Sequence, residues 1–213
     1  TPPVVSNSGV QVVVGTAPIN LVENPSEAVN KPILTYRWSE AVKSIGYSDN
    51  WKDYTLCESM DASFRRIGVA PVIFINVLDP TIHKTDVTGE VVSLQSGEGK
   101  LDVSGVLLDK LVVKSGDGAT TYEEDKDYSV AFDREGYPRI SIIDDGAIPS
   151  ATTELQTDFT KIDPTKVTKA DIVGGYDATN NKYHGLEVVS QVYPRLGIVP
   201  GLILSPGWSH DPE

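Results

Sequence analysis

The side chains best able to do chemistry in this 213-residue chain lie in a few short stretches. The densest is acidic: Glu123, Glu124, Asp125 and Asp127, close after Asp117. Hard cations are held by clustered oxygens, so such a run could build a Ca²⁺ site. It lacks the central Gly and terminal Glu of an EF-hand loop, and it reads instead as a solvated turn ahead of a strand. Asp177, Asn180 and Asn181 offer a second set of oxygens, but Asp-Ala-Thr-Asn-Asn is equally good turn chemistry. His83, His184 and His210 are far apart and show no metal-ligand spacing. Each sits in a polar, loop-like stretch and reads as an exposed side chain.

The remaining candidates are weaker. Ser209 beside His210 fits neither a nucleophile elbow nor a triad order. Cys57 is the sole cysteine, so no internal disulfide can form, and near Met60 it reads as a small buried hydrophobe. Gly174-Gly175, Gly197 and Gly201 do not form the GxGxxG fingerprint of a dinucleotide site. Tyr176, Tyr183 and Trp208 could stack on a sugar, yet singly placed aromatics are usually core or loop anchors. No catalytic constellation emerges. The expectation is a non-enzyme with no catalytic residues, no metal ligands and no cofactor.

Composition narrows the function classes. Hydrophobic residues make up 39% and charged residues 23%, an ordinary globular balance. No apolar run approaches the roughly 20 residues needed to cross a bilayer, and no signal peptide is visible. A net charge of −12 argues against wrapping nucleic acid. The chain opens TPPVVSNSGV without Met and stops at SHDPE just after an apolar run, so it is expected to be a fragment of a longer protein.

The elements that position these residues follow from apolar periodicity. Val10, Val12 and Val14 around Val13 predict a strand ending at Gly15. Residues 1–9, rich in Pro and Ser, are expected to fray. Ser39 is placed to N-cap a short helix running through Ser44, with Gly46 beyond its end. A second helix is predicted over about 53–67, its stripe being Leu56, Met60, Phe64 and Ile67, with Gly68 as its stop. It leads into Val72–Leu78, the most apolar run of the chain. Near the end, Leu186, Val189, Val192/Tyr193 and Leu196 predict a helix that Pro194 should end or kink near Tyr193. Leu202, Ile203 and Leu204 then read as a strand buried on both faces and parallel to Val72–Leu78.

Between these halves the pattern changes. From Lys84 to Asp163, short runs with period-2 alternation recur between turn signals; Tyr128, Val130 and Phe132 are one, Ile140 and Ile142 another, with D-R-E-G between them as a hairpin turn. This segment carries 17 acidic against 8 basic residues, a net of −9, which leaves −3 for everything else. The expected fold class is therefore α/β: an open, mainly parallel sheet with helices, interrupted by an inserted all-β domain of sandwich or barrel type. Residues 1–83 with 164–213 would form the discontinuous α/β domain, and 84–163 the insert.

One stretch carries a family resemblance. IVGGYDATNNKYHGLEVVSQVYPRLGIVPGLILSPGWS at 172–209 resembles a segment of the tail sheath proteins of contractile bacteriophages and related injection particles. The resemblance extends to APVIFINVLDP at 70–80 and VQVVVGTAP at 10–18, and so spans essentially the whole chain. It implies a structural subunit that assembles as stacked hexameric rings around a tail tube protein. The sheath then contracts to drive the tube through the host envelope. It further implies a virion protein made in the bacterial host cytoplasm, with neither nucleic acid nor membrane as partner. The family's extreme N-terminus and C-terminal domain have no counterpart here, so the chain by itself is expected to be monomeric. The alternative is a surface-exposed glycan- or receptor-binding module with its site on the β insert.

Overall fold

The computed structural model describes residues 9–209, so the expected fraying of residues 1–9 falls almost wholly outside the described part. Along the chain come β1 (Gln11–Gly15), α1 (Pro25–Ala28), β2 (Ile33–Thr35), α2 (Trp38–Ile45) and α3 (Thr55–Met60). A π-helical turn over Asp61–Ile67 continues α3 and is followed by β3 (Val72–Asn76). Six strands come next: β4 (Lys84–Gln95), β5 (Glu98–Lys100), β6 (Val112–Ser115), β7 (Tyr128–Phe132), β8 (Pro138–Ile142) and β9 (Glu154–Ile162). The chain closes with α4 (Lys169–Val173), β10 (Gly175–Asp177), β11 (Lys182–His184), a 3-10 segment over Gly185–Gln191, α5 (Val192–Leu196) and β12 (Leu202–Leu204). The fold mixes helices and sheets, and its contacts divide it into two compact units, residues 84–163 and the rest.

The first unit is built on a four-stranded sheet in the order β12-β1-β3-β2. β1 runs parallel to both β12 and β3, while β2 is antiparallel to β3. β1 and β3 are central, and all five residues of β3 are buried, as a strand covered on both faces must be. Leu56 and Met60 of α3 lie in the same core, and Phe64 approaches Phe74 with ring centroids 6.2 Å apart. α3 starts hard against β1: a Cβ at Gly15 would lie 2.4 Å from the Thr55 hydroxyl. Only a glycine allows that approach.

Three expectations for this unit need correction. β12 does not pair with β3; β1 lies between them, because β1 offers the free parallel edge. β12 is an edge strand, and Leu202, Ile203 and Leu204 are 51%, 50% and 36% exposed rather than buried. The predicted stripe of the 53–67 helix fails at its last position. The π-helical turn inserts an extra residue and rotates Ile67 outward, leaving it 72% exposed. α2 begins at Trp38 with Arg37 as its cap residue, so Ser39 lies inside the helix.

The second unit is one antiparallel six-stranded sheet, curled on itself in the order β6-β9-β4-β5-β8-β7. β4 turns the corner: it pairs with β9 along most of its length and with β5 at its end, with a register shift between Val87 and Glu90 where Gly89 takes a positive φ. Leu155, Thr157 and Phe159 alternate inward along β9 and meet Val92, Val113, Tyr128 and Ile140 in a single core. The predicted D-R-E-G hairpin joins β7 to β8. Asp133 accepts the N–H groups of Glu135 and Tyr137 there at 2.9 and 3.0 Å.

Candidate functional site

Each chemistry-bearing cluster is explained by the backbone it organises. In the acidic run, Asp127 is buried, and its carboxylate accepts the N–H of Glu123 and of Ala147, both at 2.9 Å. Those two bonds, in that order, hold its carboxyl below the usual range. Asp127 therefore ties the turn before β7 to the loop after β8. Asp117 does the same locally, accepting the Ser115 hydroxyl at 2.5 Å and the Ala119 N–H at 3.0 Å. Glu124 is exposed; partial burial of its carboxyl and then the neighbouring Asp125 push its pKa up. Among the described residues no group of three or more His, Cys, Asp or Glu side chains is arranged to hold a metal ion.

The 172–209 stretch forms a small ribbon, β10 paired with β11, closed by the loop between them. Asp177 caps that loop: it accepts the N–H of Thr179 at 2.8 Å and both the N–H and side-chain amide of Asn180 at 3.2 and 2.7 Å. Asn181 accepts the Tyr176 hydroxyl at 2.5 Å, and Tyr176 packs against Tyr183 across the ribbon with centroids 4.9 Å apart and rings tilted by 45°. The predicted turn chemistry accounts for these residues. Gly174 and Gly185 cross at the base of the ribbon, where a Cβ on Gly174 would sit 1.9 Å from the His184 carbonyl oxygen. Both have positive φ, so two features exclude any other residue at each. Asn30 Oδ1 then accepts the Gly185 N–H at 3.0 Å.

The next segment differs from expectation. It is 3-10 helical over Gly185–Gln191 and α-helical only from Val192, with Pro194 in the first turn of α5. A proline there removes no helical hydrogen bond, so it starts the turn instead of ending it. Val188 and Val192 are the buried residues, Leu186, Val189 and Leu196 are half-buried, and Tyr193 is 63% exposed.

The histidines also need correction. His83 is buried, 4% exposed. Its Nδ1 accepts the Asp79 N–H at 3.0 Å, so Nε2 carries the proton that faces Asp171 at 3.5 Å. Sequence reasoning missed it because Pro80, Thr81 and His83 look like an open loop. The Asp79–His83 turn folds back on itself instead, with the His83 N–H bonded to the Asp79 carbonyl at 2.8 Å. Burial raises the Asp171 pKa, but the Thr168 hydroxyl and N–H, at 2.7 and 2.8 Å, together with His83 hold it below the usual range. His184 is half-buried; His210 lies outside the described residues. Cys57 is wholly buried as expected, and desolvation pushes its thiol up to about 12, out of reach of thiolate chemistry. Ser209 is exposed and Trp208 half-buried, on the turn after β12.

A cleft of about 820 Å³ opens on the first unit beside His83 and Asp171. Asp79, Thr81, Lys182, His184 and Arg195 also line it, a mixture of both charges; the Asp79 carboxylate there accepts the Thr81 hydroxyl at 2.6 Å and the Thr81 N–H at 2.8 Å, which closes the turn. Asn76 is the polar residue that sequence reading overlooked. It is 1% exposed at the end of β3, and its amide makes three hydrogen bonds: from the Ala17 and Leu78 N–H groups at 3.2 and 3.0 Å, and to the Ala17 carbonyl at 3.0 Å. That arrangement pins two loops to the end of the sheet.

Asp127, Asp177 and Asn76 thus hold the chain's own turns and loops together. The chain is 30% identical over 204 residues to the tail sheath protein of the Burkholderia phage BcepMu, an alignment covering 96% of it. That similarity supports the tail sheath protein family for this chain. The chain spans 40% of the length of that relative. No family model matches the chain, and no solved structure matches it.

Proposed function

We propose that this chain is part of a structural subunit of a contractile phage, or prophage-derived, tail sheath. The observation that carries the reading is the alignment with the BcepMu tail sheath protein, which runs through both units without leaving either aside. In this reading, copies of the complete protein assemble in stacked hexameric rings around a tail tube protein in the virion, having been made in the host cytoplasm. Contraction repacks identical subunits and drives the tube through the envelope, which requires interfaces and no catalytic step.

In the same reading, residues 9–83 and 164–209 form an open α/β domain, and residues 84–163 form an inserted domain. The strands β4 and β9 support this: Lys84 pairs with Ile162, so the insert enters and leaves on adjacent strands and its ends meet. Electron microscopy of the complete gene product tests the proposal. Regular tubes are the expected result; protein that stays dispersed under all assembly conditions would overturn it.

A further inference from the structure

The first unit carries a surface feature that its own fold does not require. Arg65 and Arg66, neighbours on the π-helical turn, lie over two different indoles. The Arg65 guanidinium carbon is 4.9 Å from the centroid of the Trp38 ring, and that of Arg66 is 5.7 Å from Trp51. One buried carboxylate holds both: Asp61 pairs with Arg65 at 3.3 Å and directly with Arg66. The indoles are fixed in turn. Trp38 packs edge-on against Tyr47 with centroids 4.6 Å apart, and the Trp51 indole N–H donates to the Tyr47 hydroxyl at 3.3 Å. Two guanidinium planes are therefore held in place, yet the arginine side chains remain 56% and 67% exposed, with Ile67 beside them at 72%.

A fixed pair of guanidinium groups is suited to carboxylates. Each has five N–H donors in a plane that matches a carboxylate, and ordering it in advance lowers the cost of binding. Trp, Tyr and Arg around an exposed isoleucine is also the composition of interface centres. The remaining question is which carboxylates.

The second unit of the same chain presents them. Its turn at Glu123–Asp127 and its loop at Asp144–Asp145 are joined, since the N–H groups of Ile143 and Ala147 both bond Asp127, at 3.0 and 2.9 Å. Glu124, Asp125, Asp144 and Asp145 are exposed there, and among the described residues no ion pair involves any of the four. Lys126, the cation among them, is taken by Glu123 at 2.9 Å.

We propose that the Arg65–Arg66 ridge of one copy docks the Glu124–Asp125 and Asp144–Asp145 turns of a second copy. This rests on the reading that copies of the protein assemble, and it names one contact they use. The two surfaces differ, so the contact is head-to-tail, the type that closes rings or propagates along filaments.

The test uses the full chain and its three tryptophans, Trp38, Trp51 and Trp208, through their indole ¹H–¹⁵N signals. As concentration rises in low salt, the Trp38 and Trp51 signals shift while Trp208 stays, and high salt reverses the shift. Ile67→Asp places on the ridge a charge of the same sign as the acidic turns, without touching Asp61, and weakens the association about ten-fold or more. A second variant combines Glu124→Lys, Asp125→Lys, Asp144→Lys and Asp145→Lys. Each variant alone self-associates far more weakly than the unaltered chain, but mixing them restores the shift in the quadruple variant, whose ridge is intact. Unmoved Trp38 and Trp51 signals, or association indifferent to both variants, would overturn the contact. Tubes formed by a complete protein carrying Ile67→Asp would also overturn it while leaving the sheath reading standing.

Discussion

Asn76→Ala provides a quantitative test of how the first unit is held together. The substitution removes the three bonds of one amide: the N–H groups of Ala17 and Leu78 lose their partner, while the Ala17 C=O keeps the Ile19 N–H at 2.7 Å. Ala17 and Leu78 are both fully buried, so water does not readily replace the amide. A typical hydrogen bond contributes about 1 kcal/mol net, and an orphaned buried group costs roughly 1–3 kcal/mol. The three together come to on the order of 3 kcal/mol, a large share of the roughly 5–15 kcal/mol that stabilises a domain. The assay is urea unfolding followed by tryptophan fluorescence, because Trp38, Trp51 and Trp208 all belong to the first unit. The transition should move to lower urea with its slope unchanged. Asn180→Ala, in the exposed β10–β11 loop, should shift it by no more than about 0.5 kcal/mol. A loss below about 1 kcal/mol for Asn76→Ala would refute the claim that this amide pins the loops.

Four further outcomes are expected. Phe74→Asp, in a strand buried on both faces, should cost several kcal/mol, whereas Ile203→Asp on the half-exposed edge strand should cost about 1 kcal/mol or less; equal losses in denaturant melts would mean the edge is misplaced. Because backbone hydrogen bonds depress the folded-state pKa of Asp127, its contribution is complete above the unfolded value of about 3.9 and is lost as pH falls through the folded one. Asp127→Asn should therefore destabilise the second unit at pH 7 and flatten its decline below about pH 4, as read by circular dichroism. Cys57 should resist a thiol reagent at pH 8 in the native protein and react at once in denaturant; fast native labelling would contradict its burial. Replacing residues 84–163 by a short Gly/Ser linker should leave a cooperative tryptophan-detected transition, and its loss would count against an inserted domain.

The parts of the fold legible in the sequence were those set by local pattern. Period-2 alternation located β7 and β8, and the D-R-E-G turn between them, because each residue there faces core or solvent according to its neighbours. The buried run at 72–78 was equally plain. What failed depended on partners distant in sequence. Leu202–Leu204 is apolar enough for a central strand, but strand order put it at an edge. Ile67 fits a helical stripe until the turn becomes π-helical. His83 sits in a polar stretch, and only the folding back of Asp79 and the approach of Asp171 bury it. Asn76 looked like one polar residue inside an apolar run, and its role appeared only once Ala17, 59 residues away in sequence, was beside it. The glycines of the 172–209 string were visible, but the crossing of Gly174 and Gly185 that requires them was not.

The most direct test of the sheath assignment is where this chain lies in a particle. Antibody raised against the chain, visualised with gold on intact particles in the electron microscope, should decorate the tail along its whole length. On contracted particles the label should occupy a shorter, wider cylinder. Label confined to the head, or to the tip or fibres of the tail, would contradict the assignment and favour a surface-binding module instead.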